Sequence, residues 1–139
     1  MPISYLTRTV EFTATHRIRR RDWPDGRNAL EFGRAAADHE HRYQCGVTVK
    51  GPLAAAAGGV MSLVALDQLL AREVTARLDG RHINEAIPEF RDGERLATGE
   101  ALAVYLWERL AGQLPRGVTL HAVRVQEGPH IYSEYFGEA

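Results

Sequence analysis

Residues 3–16, ISYLTRTVEFTATH, alternate in side-chain character at period two and are rich in β-branched and aromatic types. That pattern suits an extended strand with two unlike faces, so the chain must build a sheet around it. Phe12, Ala14 and His16 share one face of this strand. A second strand reads from HEHRYQCGVTVKG, 39–51, ending at Gly51-Pro52. Two more lie near the C-terminus, VTLHAVRVQE at 118–127 and HIYSEYF at about 130–136, with GPH between them as a tight turn. Between the two pairs the period changes to that of a helix. Leu63, Leu66, Leu69, Leu70, Val74 and Leu78 recur at helical spacing over 62–78, behind Ser62 as N-cap. Thr98 caps a second helix over 99–113, with Leu102, Tyr105, Leu106 and Leu110 on its apolar side. Residues 17–38 and 79–97 read as polar loops, the first broken by Pro24 and Gly26.

The order is therefore β-β-α-α-β-β. Strands segregated from helices imply an α+β fold, a four-stranded antiparallel sheet with two helices on one face. With 139 residues, the chain has room for one domain with a real core, spanning 1–139. The other sheet face and both edges need cover, and oligomerisation is one way to supply it.

The stretch DHEHRY, 38–43, sets two histidines one residue apart at the start of the second strand. Strand residues two apart point the same way, so His39 and His41 project in parallel. If the first two strands pair across the long loop, His16 joins them. Three neutral imidazoles suit zinc, and a fourth position left open makes such a site catalytic. The plainer alternative is three polar residues at strand ends. His121 and His130 also fall on predicted strands, with no comparable reason to assign them a role.

Composition narrows the partners. A formal net charge of −1 gives no bulk attraction to nucleic acid or anionic membrane. The single cysteine, Cys45, excludes an intrachain disulfide and reads as a small core residue. The opening MPISYLTRTVEF has no basic segment followed by an apolar one, and no apolar run approaches the roughly 18 residues of a membrane span. A cytoplasmic, soluble protein is the expectation.

Five segments in register resemble a known family. FTATH is similar to its Phe-x-Ala-x-His signature, and FGRAAADHEHRY to its Phe-Gly-Lys-Cys…His-Gly-His-Asn-Tyr segment. LDGRHIN resembles Leu-Asp-His-x-x-Leu-Asn, ATGEALAVYLWERL the Pro-Thr-x-Glu-Asn-Leu-Ala helix start, and VRVQEG the Val-x-Glu-Thr strand end. The family is that of the 6-pyruvoyltetrahydropterin and 6-carboxytetrahydropterin synthases. The resemblance implies the tunnelling fold (T-fold), assembled as a homohexamer of two stacked trimers with active sites between subunits. It implies Zn2+ on His16, His39 and His41, with Glu127 anchoring the amino-pyrimidine edge of a pterin and Thr98 beside the substrate.

The departures are as informative. The family's catalytic cysteine falls on Ala35, and the histidine after the retained Asp79 falls on Gly80. Glu40, Ser62 and Gly128 replace a glycine, an aspartate and a threonine of the family pattern. An alanine methyl cannot accept a proton. Losing a general base costs about 10²–10⁴-fold in rate, roughly 3–5 kcal/mol of barrier. His82, next to Asp79 in sequence, is the preferred replacement, with Asp38 and Glu40 as carboxylate alternatives; Glu40 is expected on the opposite strand face. RIRRRD, 17–22, is a candidate phosphate or carboxylate clamp, although a solvated loop is the plainer reading.

Three functions follow as expectations. The first is a zinc-dependent carbon–oxygen lyase or cyclase acting on a pterin or another small polyhydroxylated or carbonyl compound, with Asp79 and His82 as catalytic residues. The others are an ordinary pterin synthase with a substitute base and a non-catalytic zinc-binding member. Retention of His16, His39, His41, Asp79 and Glu127 favours an active small-molecule pocket. Loss of the cysteine and histidine favours altered chemistry.

Overall fold

A computed structural model describes residues 1–54 and 56–139. Four strands, β1 (Ile3–His16), β2 (His39–Pro52), β3 (Thr119–Gly128) and β4 (Ile131–Tyr135), form one antiparallel sheet in the order β1-β2-β3-β4. The β1–β2 register runs from Ile3 opposite Pro52 to His16 opposite His39. A bulge between Thr48 and Val49 interrupts the β2–β3 ladder, and another irregularity falls between Gln126 and Gly128.

Period two decides which face is covered. Phe12, Ala14 and His16 of β1, Tyr43, Cys45, Val47 and Val49 of β2, and Leu120, Val123 and Val125 of β3 are buried. The opposite face presents Thr7, Thr9, Gln44, Thr48, Arg124 and Gln126. Helices close the apolar face through Leu66, Leu70, Val74, Leu78, Leu102, Leu106 and Leu110. Cys45 is fully buried, and burial pushes its thiol up to about 12, so it is inert core.

The loops hold more structure than periodicity predicts. Residues 17–38 contain α1 (Asp25–Phe32) and a 3₁₀ turn, Gly33–Ala36. Pro24, expected to break structure, is the N-cap of α1. The 62–78 helix forms as α2 (Leu63–Leu70), a π-turn Ala71–Thr75 and α3 (Ala76–Leu78). The wider turn buries Glu73, whose carboxylate accepts from Arg77 at 3.0 Å and Arg109 at 3.4 Å. Residues 79–97 include single-turn α4 (Ile83–Ala86) and α5 (Pro88–Arg91), which bury Ile83, Ile87 and Phe90. Helix α6 (Gly99–Leu110) starts as expected, with the Thr98 hydroxyl accepting from the Ala101 amide at 3.2 Å.

One loop feature places the site. Gly80 N–H donates to the Thr13 carbonyl at 2.7 Å, Thr15 N–H donates to Arg81 at 3.0 Å, and Thr13 N–H donates to Asp79 Oδ1 at 3.0 Å. These bonds lay residues 79–82 along the free edge of β1, with a parallel bridge between Thr15 and His82. Gly80 turns the chain there with φ +73°, a backbone conformation that favours glycine.

Candidate metal centre

The register of β1 and β2 builds the centre. His16 lies opposite His39, and Ala14 lies opposite His41, so the small alanine leaves room for three rings on the covered face. One ligating nitrogen from each imidazole lies within 4.8 Å of the others. Ring centroids are 4.4 Å apart for His16 and His39, 5.1 Å for His16 and His41, and 4.8 Å for His39 and His41.

Backbone carbonyls fix the ring orientations. His16 Nδ1–H donates to the Ala97 carbonyl at 2.7 Å, and His39 Nδ1–H donates to Ala37 at 2.8 Å. The backbone of Glu127 lies close enough to His41 to oppose the lowering of its pKa. A carbonyl oxygen only accepts, so Nδ1 of His16 and of His39 carries a proton, which in a neutral ring makes Nε2 the lone-pair nitrogen. Such outer hydrogen bonds are how ligating histidines are normally aimed. Burial pushes His16 down to about 4, with His39, His41 and His82 adding to the effect against the Ala97 hydrogen bond. Burial and then His39 also lower His41. Neutral imidazoles near pH 7 are what a divalent ion requires.

Several polar groups at the centre have no partner. His16 Nε2 and Tyr43 Oη are buried without a hydrogen bond among the described residues. The Tyr43 ring stacks on Phe12 at 5.0 Å and lies 5.5 Å from His41 and 5.8 Å from His16. Glu127 Oε1 stands 3.6 Å from His16 Nε2. This contact is not an ion pair, because burial keeps His16 neutral down to about pH 4. Burial and Glu100 raise the Glu127 carboxyl above its ordinary range, with His39 opposing. Glu127 Oε2 lies against the start of α6, where a Cβ added at Gly99 would meet it at 3.2 Å. Natural cores rarely leave buried polar atoms unpaired, so His16 Nε2 and Tyr43 Oη, two such atoms beside the Glu127 carboxylate, point to a ligand.

Beside the imidazoles sits a second constellation. His82 Nε2 is 3.1 Å from Asp38 Oδ1, and Arg17 reaches the same oxygen at 2.9 Å. Asn84 clamps the Arg17 backbone, accepting from its N–H at 2.9 Å and donating to its carbonyl at 3.0 Å. Arg17 first and His82 second hold the Asp38 carboxyl below its usual range, against its small burial.

Each expected site residue can now be placed. His16, His39 and His41 converge, Glu127 stands beside them, and Thr98 caps α6. His82 meets Asp38 rather than Asp79, because the Asp79 carboxylate faces the Thr13 amide on the strand edge. Glu40 alternates away from His39 and His41 and is exposed. The arginines of the 17–22 segment are mostly paired: Arg19 with Asp25, Arg20 with Asp22, and Arg17 with Asp38. His121 meets Tyr5 edge-on at 4.7 Å and Phe136 edge-on at 5.9 Å. Sequence reasoning missed Tyr43 and Glu100. The same-face spacing of Tyr43 after His39 and His41 was the available signal for the first.

The model of a family described as 6-pyruvoyl tetrahydropterin synthase matches residues 5–138. A human protein named 6-pyruvoyl tetrahydrobiopterin synthase is 33% identical over 135 residues, covering 96% of this chain and 91% of that one. A Drosophila melanogaster protein of the same name is 30% identical over 138 residues, covering 98% and 81%. The solved structure of the Caenorhabditis elegans 6-pyruvoyl tetrahydropterin synthase superposes with a TM-score of 0.87 at 27% identity, covering 99% of this chain and 98% of that one.

Proposed function

The chain belongs to the 6-pyruvoyl tetrahydropterin synthase family, and on that premise we propose that it is a zinc-dependent carbon–oxygen lyase or cyclase. Its substrate is a pterin or a related small polyhydroxylated or carbonyl compound, and its proton-transfer group is not a cysteine. The observation that carries this reading is the convergence of three imidazoles whose ligating nitrogens lie within 4.8 Å of one another. The residues fit zinc in number and type, and His16 Nε2 is buried without a hydrogen-bond partner among the described residues.

Zinc held by His16, His39 and His41 supplies Lewis acidity toward a substrate oxygen and so acidifies the adjoining C–H and O–H bonds. The chain's own residues do the rest. The Glu127 carboxylate accepts two hydrogen bonds from adjacent N–H donors of an amino-pyrimidine edge. The Thr98 hydroxyl oxygen caps α6, which leaves its proton free to donate to the substrate. His82 and Asp38 move the proton: the 3.1 Å contact lets a proton taken by one be shared with the other. Arg17 steadies Asp38. Asp79 acts as a positioning residue, because its bond to the Thr13 amide holds the His82 loop on β1.

The remaining attributes belong to the same reading. The whole chain is one T-fold domain, working in the cytoplasm as a homo-oligomer, a hexamer by resemblance. The strand order leaves β4 and the part of β1 before Thr13 as sheet edges for joining sheets. Among the described residues, no helix is long and apolar enough to cross a membrane.

The test is to incubate the zinc-loaded protein with dihydroneopterin triphosphate and follow triphosphate release. Turnover identifies the ordinary synthase reaction with a substitute base. Pterin binding without turnover supports a changed reaction or substrate. Failure of every pterin and analogue to bind removes the pterin assignment. A His39→Ala protein that keeps full zinc content removes the metal assignment.

A further inference from the structure

Glu127 is a largely buried carboxylate beside the three imidazoles. Its side chain is only 11% exposed, yet no side chain or backbone amide hydrogen-bonds its carboxylate among the described residues. This inference rests on the zinc and pterin reading above and deepens it. We propose that Glu127 is a two-position group. With no small molecule bound, its carboxylate completes the coordination of the ion on His16, His39 and His41. An incoming N–H edge then draws it off and opens that position to the ligand's oxygen.

Distance is the first argument. Zinc bonds of about 2.0–2.2 Å at tetrahedral angles set two ligand atoms about 3.3–3.6 Å apart. Glu127 Oε1 and His16 Nε2 are 3.6 Å apart, the spacing of two groups sharing an ion rather than of a hydrogen-bonded pair. The imidazole nitrogens, within 4.8 Å of one another, need a similar small contraction to grip a metal.

Charge is the second. Three neutral imidazoles leave a divalent ion's charge uncompensated beside a buried ring. Asp38 already serves Arg17 and His82, whereas Glu127 has no cation of its own. Steric confinement is the third. Behind Glu127 Oε2, a Cβ on Gly99 would lie at 3.2 Å, so the carboxylate is wedged between the start of α6 and His16.

The experiment measures the metal, not turnover. Zinc affinity is determined by chelator competition for the wild-type chain, Glu127→Gln and Glu127→Asp. Ligand-free visible spectra of the cobalt-substituted forms accompany it, and circular dichroism of the zinc-free forms checks folding. Glu127→Gln is expected to weaken zinc binding about 10–100-fold and to change the cobalt spectrum. Glu127→Asp keeps the charge but is one methylene shorter. It is expected to lose affinity as well, which separates coordination from long-range attraction, and it decides the matter alone if the Gln variant does not fold. Variant affinities within twofold of wild type with unchanged cobalt spectra overturn the proposal, as does full retention by Glu127→Asp. Pterin itself, titrated against wild-type tryptophan fluorescence, tests the underlying reading separately. No binding there ends the pterin assignment, and the zinc comparison still judges Glu127.

Discussion

Replacing Tyr43 by phenylalanine should stabilise the zinc-free protein. Tyr43 Oη is buried and has no hydrogen-bond partner among the described residues, so folding strips it of water and returns nothing. An unsatisfied buried hydroxyl costs about 1–3 kcal/mol, which phenylalanine does not incur. The ring keeps its place: the stack on Phe12, with centroids 5.0 Å apart and planes 15° from parallel, uses only carbon atoms. Only an oxygen's volume is lost, so the cavity penalty is small. Burial first and the nearby Glu127 second push the phenol's pKa up, so the hydroxyl stays protonated and its hydrogen-bonding capacity goes unused, a cost that phenylalanine lacks. The expected gain of about 1–2 kcal/mol corresponds to a rise in Tm of about 4 °C per kcal/mol at this chain length. Urea and thermal unfolding of the metal-free proteins, monitored by circular dichroism, measure it. A Tm that stays level or falls would show that the hydroxyl is satisfied in solution and that the centre is not short of a ligand there.

Acid should unfold the metal-free protein early. The folded pKa of His16 is depressed from 6.5 to about 4, so the unfolded chain binds the extra proton; stability is full above about pH 6.5 and is lost as pH falls toward 4, by roughly 3 kcal/mol. His16→Gln should flatten that slope in urea titrations between pH 7 and 4, and an unchanged slope would refute the assignment. Removing zinc with a chelator should lower stability by about 2.7 kcal/mol relative to protein held at one hundred times the zinc dissociation constant, read from paired thermal melts. Asp38→Asn should reduce turnover about 10²–10⁴-fold while zinc content stays at wild-type level, and adding His82→Asn should cost little more because the two act as a unit. Independent, multiplying losses would break the pair apart.

The sheet and the histidine triad were legible because both depend on period two. Alternation in 3–16 and 39–51 fixed which side chains face together, and hairpin pairing then set His16 opposite His39. The helix-bearing loops were harder to read. Pro24 and Pro88 look like breakers in sequence, yet each starts a helix, where a missing N–H costs nothing. The π-turn at Ala71–Thr75 hid Glu73 in the core by shifting the helical phase. Local patterning carried no sign that His82 meets Asp38, 44 positions away in sequence.

That last contact depends on the backbone at Gly80. Gly80 sits at φ +73° while its N–H bonds to Thr13, and this turn lets Arg81 and His82 lie along β1. A histidine at position 80 would have to adopt a left-handed backbone, a cost of about 1–2 kcal/mol. The same path carries an imidazole two residues later, where a parallel bridge to Thr15 holds it against Asp38. In this chain the imidazole that faces Asp38 is therefore carried by position 82 and not by position 80. Returning histidine to position 80 should strain this loop without restoring a second proton-transfer group. The expected outcome for Gly80→His is a lower Tm and weaker turnover. A rise in turnover would show that the loop can accept the family arrangement after all.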